Sequence, residues 1–395
     1  MQKLIVPTNW DDALIPAYKS LGISECYGKL ALDFVGGGRA GFILPDVGRR
    51  NVESHVRRLH DAGIQFNYLL NAGCTGFREF TRSGDRKLQE LLRWLDRIEV
   101  DSVTVTSPYF LQVIKDRYPR IKVCASTNAE INSLQRAVFW DKLGADQLTL
   151  SHISLNRNFG LLRLIRKNVS CELRLIANSS CLFHCPLFRA HTSFDAHASQ
   201  SDFFCKAGFS ADYCNLFCKL VRLSDPVQFI TSQWIRPEDL GAYESVGIDA
   251  IKLIDRRCST EALIEICTRY SQRRYEGNLV DLLPTFHGKS PANKNTFFLK
   301  CRYFFHPREF NLFKIQEIGA LVRNIDIFID NRKLDNFIDK FIREDCSSRD
   351  CGSCGYCAKI AENVLSYDRT YLENLKSRHK KFLDDFVRGN VFHYT

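Results

Sequence analysis

Apolar and polar positions repeat in a regular order over the first 275 residues of the chain. Short β-branched or alternating runs predict eight strands, and stretches with helical spacing separate most of them. The eight runs begin at Leu4, Ile23, Gln65, Ser102, Ile121, Asp146, Cys171 and Asp249. The i, i+3, i+4, i+7 spacing of an amphipathic helix is followed by Leu88, Leu91, Leu92 and Leu95, and more loosely by Val52, Val56 and Leu59. The pattern therefore predicts a strand followed by a helix, repeated along the chain.

Eight such units predict an α/β fold, a (β/α)8 TIM-like barrel over residues 1–275, because a doubly wound sheet usually has fewer strands. The seventh and eighth predicted strands are separated by residues 179–248, far more than the roughly 30 residues of one β/α unit. We interpret this segment as a Cys-rich insertion. Beyond the barrel the rhythm stops, so residues 276–395 are predicted to form a smaller C-terminal domain that ends in a helix.

Composition narrows the class of protein. With 45% hydrophobic and 25% charged residues, the chain has the composition of a globular protein and not of a disordered one. It has no run of 18 apolar residues and no secretory signal at its start, so we expect a cytoplasmic protein without a membrane partner. The net charge of +10 permits binding of RNA or another anion, but it also serves solubility.

Polar residues follow the predicted strands, on the face where barrel enzymes build their active sites. These strand-end residues are Asn9, Asn71, Ser107, Ser126, Thr127, His152, Asn178 and Arg256. The segment Gly36–Gly41 satisfies the dinucleotide pattern G-x-G-x-x-G, but an extended FILPD stretch follows it where a helix would be needed. We therefore expect a hairpin loop there and not a nucleotide site.

The 16 cysteines are numerous for a reducing compartment, which points to metal or redox chemistry. The insertion contains Cys181-x3-Cys185 and Cys214-x3-Cys218, with Cys205 as a spare that could replace any of the four. The C-terminal domain contains a second set, Cys346-x4-Cys351-x2-Cys354-x2-Cys357. This tight spacing favours an iron–sulfur cluster. Zinc is the alternative metal, and free thiols without a bound metal are the remaining alternative.

Three segments resemble the collagenase-like peptidase family U-32. They are Glu172-Leu-Arg-Leu-Ile-Ala-Asn178-Ser-Ser-Cys181, Trp234-Ile-Arg-Pro-Glu-Asp-Leu240 and Gly247-Ile-Asp-Ala-Ile-Lys252-Leu-Ile-Asp-Arg256. Here Asn178-Ser179-Ser180 replaces the usual His-Gly-Ala, which is typical of a divergent branch. Despite the peptidase name, the resemblance implies a barrel that binds a 4Fe-4S cluster through four cysteines. It further implies oxygen-independent hydroxylation of RNA or of a quinone precursor.

The leading hypothesis is an iron–sulfur barrel enzyme, a hydroxylase or other redox enzyme that acts on an RNA base or a small aromatic substrate. Cys181, Cys185, Cys214 and Cys218 would hold one 4Fe-4S cluster, and the Cys346 set a second cluster or zinc. The candidate substrate-binding residues are Asn178, Arg236, Lys252 and Arg256, although salt bridges would explain the three cations equally well. An electron donor or partner protein is a further expected partner.

Two other classes of function stay open. A peptidase or other hydrolase would need an activated nucleophile with a partner base, and no sequence motif supplies one. A nonenzymatic protein that binds RNA or a protein partner, with the metal only bracing the fold, is compatible with the positive charge.

Overall fold

A computed structural model describes residues 2–201, 212–284, 311–321, 325–344, 346 and 350–393. Eight parallel strands form a closed barrel in which each strand pairs with its neighbours in the sequence and the first pairs with the last. The strands are β1 (Lys3–Pro7), β2 (Glu25–Gly28), β3 (Gln65–Leu70), β4 (Ser102–Val105), β5 (Lys122–Ala125), β6 (Gln147–Thr149), β7 (Glu172–Ile176) and β8 (Ala250–Lys252). The predicted (β/α)8 barrel is thus confirmed. Cys205 lies outside the described residues.

Helices cover the outside of the barrel. They are α1 (Leu14–Ser20), α2 (Arg49–Asp61), α3 (Arg82–Arg97), α4 (Pro108–Arg117), α5 (Leu134–Lys142), α6 (Phe159–Asn168) and α11 (Thr260–Gln272). The predicted leucine stripe lies on α3, where Leu88, Leu91, Leu92 and Leu95 are all buried against the sheet. A Thr81 side chain caps the start of this helix by accepting a hydrogen bond from the Gly84 N–H. Stripe and cap together fix which face of α3 turns inward.

The stretch between β7 and β8 is largely helical. It contains α7 (Phe188–His197), α8 (Tyr213–Ser224), α9 (Gln228–Thr231) and α10 (Leu240–Ser245). The C-terminal region contains α12 (Leu312–Leu321), α13 (Asp339–Arg343), α14 (Cys351–Cys354), α15 (Tyr356–Val364) and α16 (Arg369–Val387), with β9 (Phe328–Ile329) antiparallel to β10 (Leu365–Ser366). The smaller C-terminal region is therefore present. Most of its buried apolar residues share one continuous core with the barrel, whereas Leu321, Phe382, Leu383 and Val391 form a second cluster with Leu216 of α8. The boundaries at 179–248 and 275 stay a prediction.

The hairpin expected around the glycine cluster is not formed. Residues 29–48 are instead the loop from β2 to α2, and they pair with the end of α7 across the barrel mouth. The Gly41 N–H donates to the Ala198 carbonyl at 2.8 Å, and the Gly37 N–H donates to Ser199 Oγ at 2.7 Å. Gly36 has a φ of +84°, and a Cβ there would lie 2.5 Å from the Ala196 carbonyl oxygen. The glycines thus allow this loop to approach the insertion closely. The prediction of a hairpin considered only neighbouring residues and therefore did not include this contact.

Within the described part of the chain, no helix combines the length and the apolar character needed to cross a bilayer.

Candidate active site and cysteine cavities

A polar cavity of about 110 Å³ opens at the carboxyl ends of the barrel strands. Of the predicted strand-end residues, its walls include Asn71, Ser126, Thr127, His152 and Arg256, together with Lys252 at the end of β8. Asn9 instead donates to the Cys258 carbonyl at 3.2 Å, and Ser107 precedes α4. Most of the predicted polar face therefore converges on one space, which we call the mouth cavity.

Two buried cations in the mouth cavity have no ion-pair partner among the described residues. Lys252 and Arg256 are only 7% and 5% exposed, and neither side chain donates a hydrogen bond within the described chain. The Lys252 ammonium lies 4.1 Å from the centre of the Tyr27 ring. Burial lowers the pKa of Lys252 to about 8, and it also lowers the pKa of Arg256. Since buried charge is costly without compensation, this floor is suited to an anionic group.

The neighbouring wall of the mouth cavity is, by contrast, fully paired. Asp255 accepts from Arg39 Nε at 3.0 Å and from Arg257 Nε at 2.8 Å. Despite burial, these cations hold the pKa of the Asp255 carboxyl far below its usual range. Arg39 comes from the β2–α2 loop, inside the Gly36–Gly41 segment, and sequence reasoning missed it because that segment was interpreted as a hairpin loop. Deeper in the barrel, Arg174 binds Glu25 through two hydrogen bonds of 2.7 and 2.8 Å.

The other two predicted substrate-binding residues lie outside the mouth cavity. Asn178 is fully buried, and its side-chain amide both donates to the Ile254 carbonyl and accepts from the Ile254 N–H. Arg236 binds Asp239 through hydrogen bonds of 3.0 and 2.8 Å. It also donates to the Asn331 carbonyl at 3.2 Å, in the C-terminal region. The structure thus gives Asn178 and Arg236 contacts that position backbone, and it brings only Lys252 and Arg256 together.

The four cysteines predicted in the insertion all line a second cavity, of about 160 Å³, which we call the insertion cavity. Cys181 and Cys185 follow β7, and Cys214 and Cys218 lie one helical turn apart on α8. Burial and the neighbouring thiols Cys181 and Cys218 raise the pKa of Cys185 to about 11. Basic side chains surround the thiols: Arg39, His191, Lys219, Arg222 and Arg257. The cavity thus combines soft ligands with a mainly basic wall, which also includes the carboxylates of Asp195 and Asp212.

Cys181 links the two cavities, because it lines both of them. Burial opposes ionisation of its thiol, but hydrogen bonds from His152 and Ser179 and the charge of Arg222 bring its pKa down to about 6. His152 Nδ1 lies 2.9 Å from Thr127 Oγ1. A group bound at Cys181 would therefore touch the same space as a ligand on Lys252.

The predicted set in the C-terminal region also meets in one place. Cys346, Cys351, Cys354 and Cys357 line a cavity of about 70 Å³, which we call the C-terminal cavity. Burial and the other three thiols raise the pKa of Cys357 to about 11, although the charge of Arg157 acts in the opposite direction. The chain therefore gathers each predicted set of four thiols around its own space.

Neither set converges on the position of a single ion. Among the described residues, no group of three or more His, Cys, Asp or Glu side chains is placed to hold one metal ion. Ligands of one zinc ion crowd together because each Zn–S bond is about 2.3 Å, whereas the thiolates of an iron–sulfur cluster bind separate irons. Four thiols around a cavity match the second kind of donor set in number and chemistry.

A hydroxyl, a histidine and an aspartate, arranged as in a hydrolase relay, lie outside the mouth cavity in a position that a substrate cannot reach. His55 Nε2 lies 2.9 Å from Thr8 Oγ1, and His55 Nδ1 lies 2.8 Å from Asp12 Oδ1. Thr8 and His55 are buried, and none of the three residues lines the mouth cavity. The Thr8 hydroxyl also accepts from the Trp10 N–H at 2.9 Å. This relay therefore holds the end of β1 against α2.

Comparisons with known proteins find similarity to one peptidase family. Residues 46–184 match the family described as Peptidase family U32. The chain is 29% identical over 333 residues to the "Uncharacterized protease MJ1657" of Methanocaldococcus jannaschii, covering 84% of this chain and 86% of that protein. The solved structure of the U32 peptidase Mk0906 shares 21% identity over 65% of this chain and 93% of its own, with a TM-score of 0.49. By the two sequence matches, the chain is similar to proteins of peptidase family U32, and the match to the family model extends over residues 46–184.

Proposed function

We propose that the protein is an iron–sulfur redox enzyme whose substrate binds in the mouth cavity, with oxygen-independent hydroxylation as its reaction class. The observation that supports this proposal most strongly is the position of Cys181, which lines both the insertion cavity and the mouth cavity. Cys181, Cys185, Cys214 and Cys218 would hold a 4Fe-4S cluster. When bound, such a cluster supplies one-electron chemistry or, at an open iron, a Lewis acid.

The protein's own residues prepare the insertion cavity for that group. A cluster with four thiolate ligands is negatively charged, and the basic side chains around the thiols offset part of that charge, although burial raises the pKa values of Cys185 and Cys214. Arg222 donates to Cys218 Sγ and to the Ser180 carbonyl, which fixes α8 against the loop that carries Cys181. His152 stabilises the ionised form of Cys181 from the mouth side. These contacts orient Cys218 and the loop that carries Cys181.

The mouth cavity selects the substrate. Lys252 and Arg256 offer two buried positive charges, and the Tyr27 ring forms an apolar wall beside Lys252. A small aromatic compound with an acidic group, or a nucleotide of RNA with its phosphate, has the matching chemistry. At about 110 Å³ the cavity admits only a small part of a larger molecule.

The first test is metal content. The full chain is purified without oxygen, iron and acid-labile sulfide are counted, and electron paramagnetic resonance spectra are recorded. We expect Cys181→Ser and Cys214→Ser each to lose iron, whereas Cys74→Ser, a half-exposed cysteine outside both sets, keeps it. Iron that is unchanged in both cavity variants would refute the proposal.

The second test is anion binding, with benzoate and inorganic phosphate as probes at low salt. We expect Lys252→Met and Arg256→Met each to weaken binding about tenfold or more, since a charge-assisted hydrogen bond is worth about 1.5–3 kcal/mol. Lys122→Met is the matched control, because Lys122 is exposed at the start of β5. Equal binding by all three variants would place the substrate elsewhere.

A thiol-dependent hydrolase is the second candidate, because Cys181 has a pKa of about 6 and a hydrogen bond from His152. A thiolate beside an imidazole is the nucleophile–base pair of thiol peptidases. The two candidates differ in their need for metal. Peptide or ester hydrolysis by the metal-free protein, lost in both Cys181→Ser and His152→Gln, would favour the hydrolase. If the protein shows no turnover and binds neither probe, the remaining candidate is a nonenzymatic protein in which the metal only braces the fold.

A further inference from the structure

Arg157 is a fully buried cation whose side chain has no carboxylate partner in the described part of the chain. It is 1% exposed and follows β6 in the loop that leads to α6. Its Nη1 donates to the Ile230 carbonyl at 2.7 Å and its Nη2 to the Trp234 carbonyl at 3.4 Å, while its buried Nε has no hydrogen-bond partner. Neutral carbonyls satisfy part of its hydrogen-bonding capacity, but they do not neutralise its charge.

Three aromatic rings enclose the guanidinium. Its carbon lies 4.5 Å from the centre of the Trp234 ring, 4.8 Å from that of Phe337 and 5.3 Å from that of Phe341. Phe337 in turn stacks on Tyr356, with ring centres 5.7 Å apart and an interplanar angle of 7°. These rings exclude water from the cation, so its compensation has to come from charge on the protein or on a bound group.

The C-terminal cavity lies on the other side of this aromatic layer. Phe341 and Tyr356 line that cavity together with its four cysteines. Four ionisable groups attract Arg157: Cys357 most strongly, followed by Tyr243, Cys346 and Asp239. As neutral thiols, the two cysteines give the cation nothing. As thiolates bound to a metal centre they add negative charge beyond that of Asp239, which attracts Arg157 without a hydrogen bond to it.

We propose that the C-terminal cavity is a second iron–sulfur site, held by Cys346, Cys351, Cys354 and Cys357, and that Arg157 is its buried counter-charge. All four thiols line one cavity, and the tight Cys351-x2-Cys354-x2-Cys357 spacing favours a cluster over zinc. Arg157 is a positioning residue, because the aromatic layer separates it from the cavity. Since a nearby cation stabilises the more negative, reduced form of a cluster, Arg157 sets the reduction potential of the site.

The contacts of Arg157 also tie this site to the barrel. The Ile230 carbonyl that accepts from Arg157 lies on α9, and Val227 and Thr231 at the ends of the same helix line the C-terminal cavity. One side chain from a barrel loop thus supports both the wall and the charge balance of a site built by the C-terminal region.

The test uses the full chain purified without oxygen. We expect about eight irons and eight sulfides per chain, as two 4Fe-4S clusters require. The double variant Cys351→Ser/Cys354→Ser should lose about half of both and keep the remaining cluster signal. The double variant Cys181→Ser/Cys185→Ser should lose the other half, and Cys74→Ser should lose neither. This design separates the two sites. Even if the insertion cavity holds no cluster, the Cys351→Ser/Cys354→Ser variant should still lose the iron of the C-terminal cavity.

Arg157 is tested by potential. We expect Arg157→Met to shift the reduction potential of the signal that depends on Cys354 to more negative values, and Arg157→Lys, which keeps the charge, to restore it in part. The signal that depends on Cys181 should keep its potential in both variants. Should Arg157→Met fail to fold, Arg157→Lys and the cysteine variants still decide the matter. Zinc in this site, iron unaffected by Cys351→Ser/Cys354→Ser, or an unshifted potential in a folded Arg157→Met protein would overturn the proposal.

Discussion

Lys252 and Lys29 are both buried lysines, but among the described residues only Lys29 has an ion-pair partner, so their replacement should have opposite effects on stability. Lys29 lies 3.0 Å from the Asp33 carboxylate, and both side chains are almost fully buried. Lys252 faces the mouth cavity with no carboxylate partner among the described residues. We therefore expect Lys252→Met to stabilise the protein measured without added anions, and Lys29→Met to destabilise it.

The magnitude follows from the pKa of Lys252. Burial lowers that pKa from 10.5 to about 8, and each tenfold change in proton affinity is about 1.4 kcal/mol. Holding the charged lysine in place therefore costs about 3 kcal/mol, of which the cation–π contact with Tyr27 recovers about 1 kcal/mol. The net gain from Lys252→Met is about 2 kcal/mol at pH 7. Breaking the Lys29 pair should cost about 3–5 kcal/mol, because it leaves Asp33 buried and unpaired.

The sign of the pH dependence is also fixed. Between pH 8 and 10.5 the unfolded chain keeps a proton on Lys252 that the folded protein has lost, so wild-type stability gains with rising pH. The advantage of Lys252→Met should be full below pH 8, shrink across this interval and vanish above it. Urea denaturation of the three proteins at pH 7 and pH 10.5, followed by circular dichroism, measures both effects. A loss of stability in Lys252→Met at pH 7 would show that Lys252 is compensated and would refute the anion site.

Three further predictions concern neighbouring groups. In metal-free protein at pH 7, iodoacetamide should modify Cys181, with a pKa of about 6, faster than Cys185, with a pKa of about 11; equal rates by mass spectrometry would contradict this. Although burial opposes it, a pair of aspartates raises the pKa of His191 to about 9, so its stabilisation is full below pH 6.5 and is lost as the pH rises through 9. His191→Gln should thus cost about 1–2 kcal/mol at pH 6, discounted because a third of the side chain is exposed, and nothing at pH 10 in urea titrations. Glu25→Gln should cost about 1.5–3 kcal/mol by the same measurement, since it removes one of two carboxylates from the buried Arg174 and leaves Glu172, and a loss below 1 kcal/mol would count against the Glu25 pair.

The barrel could be predicted from sequence because its strands are buried on both faces. Such strands appear as short apolar runs with turn residues around them, and β3, with five of its six residues buried, is typical. The grouping of the cysteines could also be predicted from sequence. Thiols four positions apart on a helix lie on one face, and those of Cys214 and Cys218 do so on α8. Their role as cluster ligands stays a prediction.

Contacts between segments that are distant in the chain could not be predicted from the sequence. Arg39 and Asp255 are 216 residues apart, and only the closed barrel brings them within 3.0 Å. Arg157 carries no motif, and its importance arises from rings and thiols that the C-terminal region places around it. Asn178 shows the reverse case, because its strand-end position suggested a ligand contact while the Ile254 backbone uses its whole amide. The side chains that reach the barrel mouth can be predicted from sequence far better than the hydrogen-bond and ion-pair partners that they already have within the protein.

The contact between Gly36 and the Ala196 carbonyl means that the β2–α2 loop and the insertion form a matched pair. A relative with a longer side chain at this position would have to move α7, and with it the wall that carries His191 and Asp195. Grafting the insertion onto another barrel should therefore require transfer of its glycine loop as well. Changes in the two segments should be inherited together wherever the cysteine set is kept.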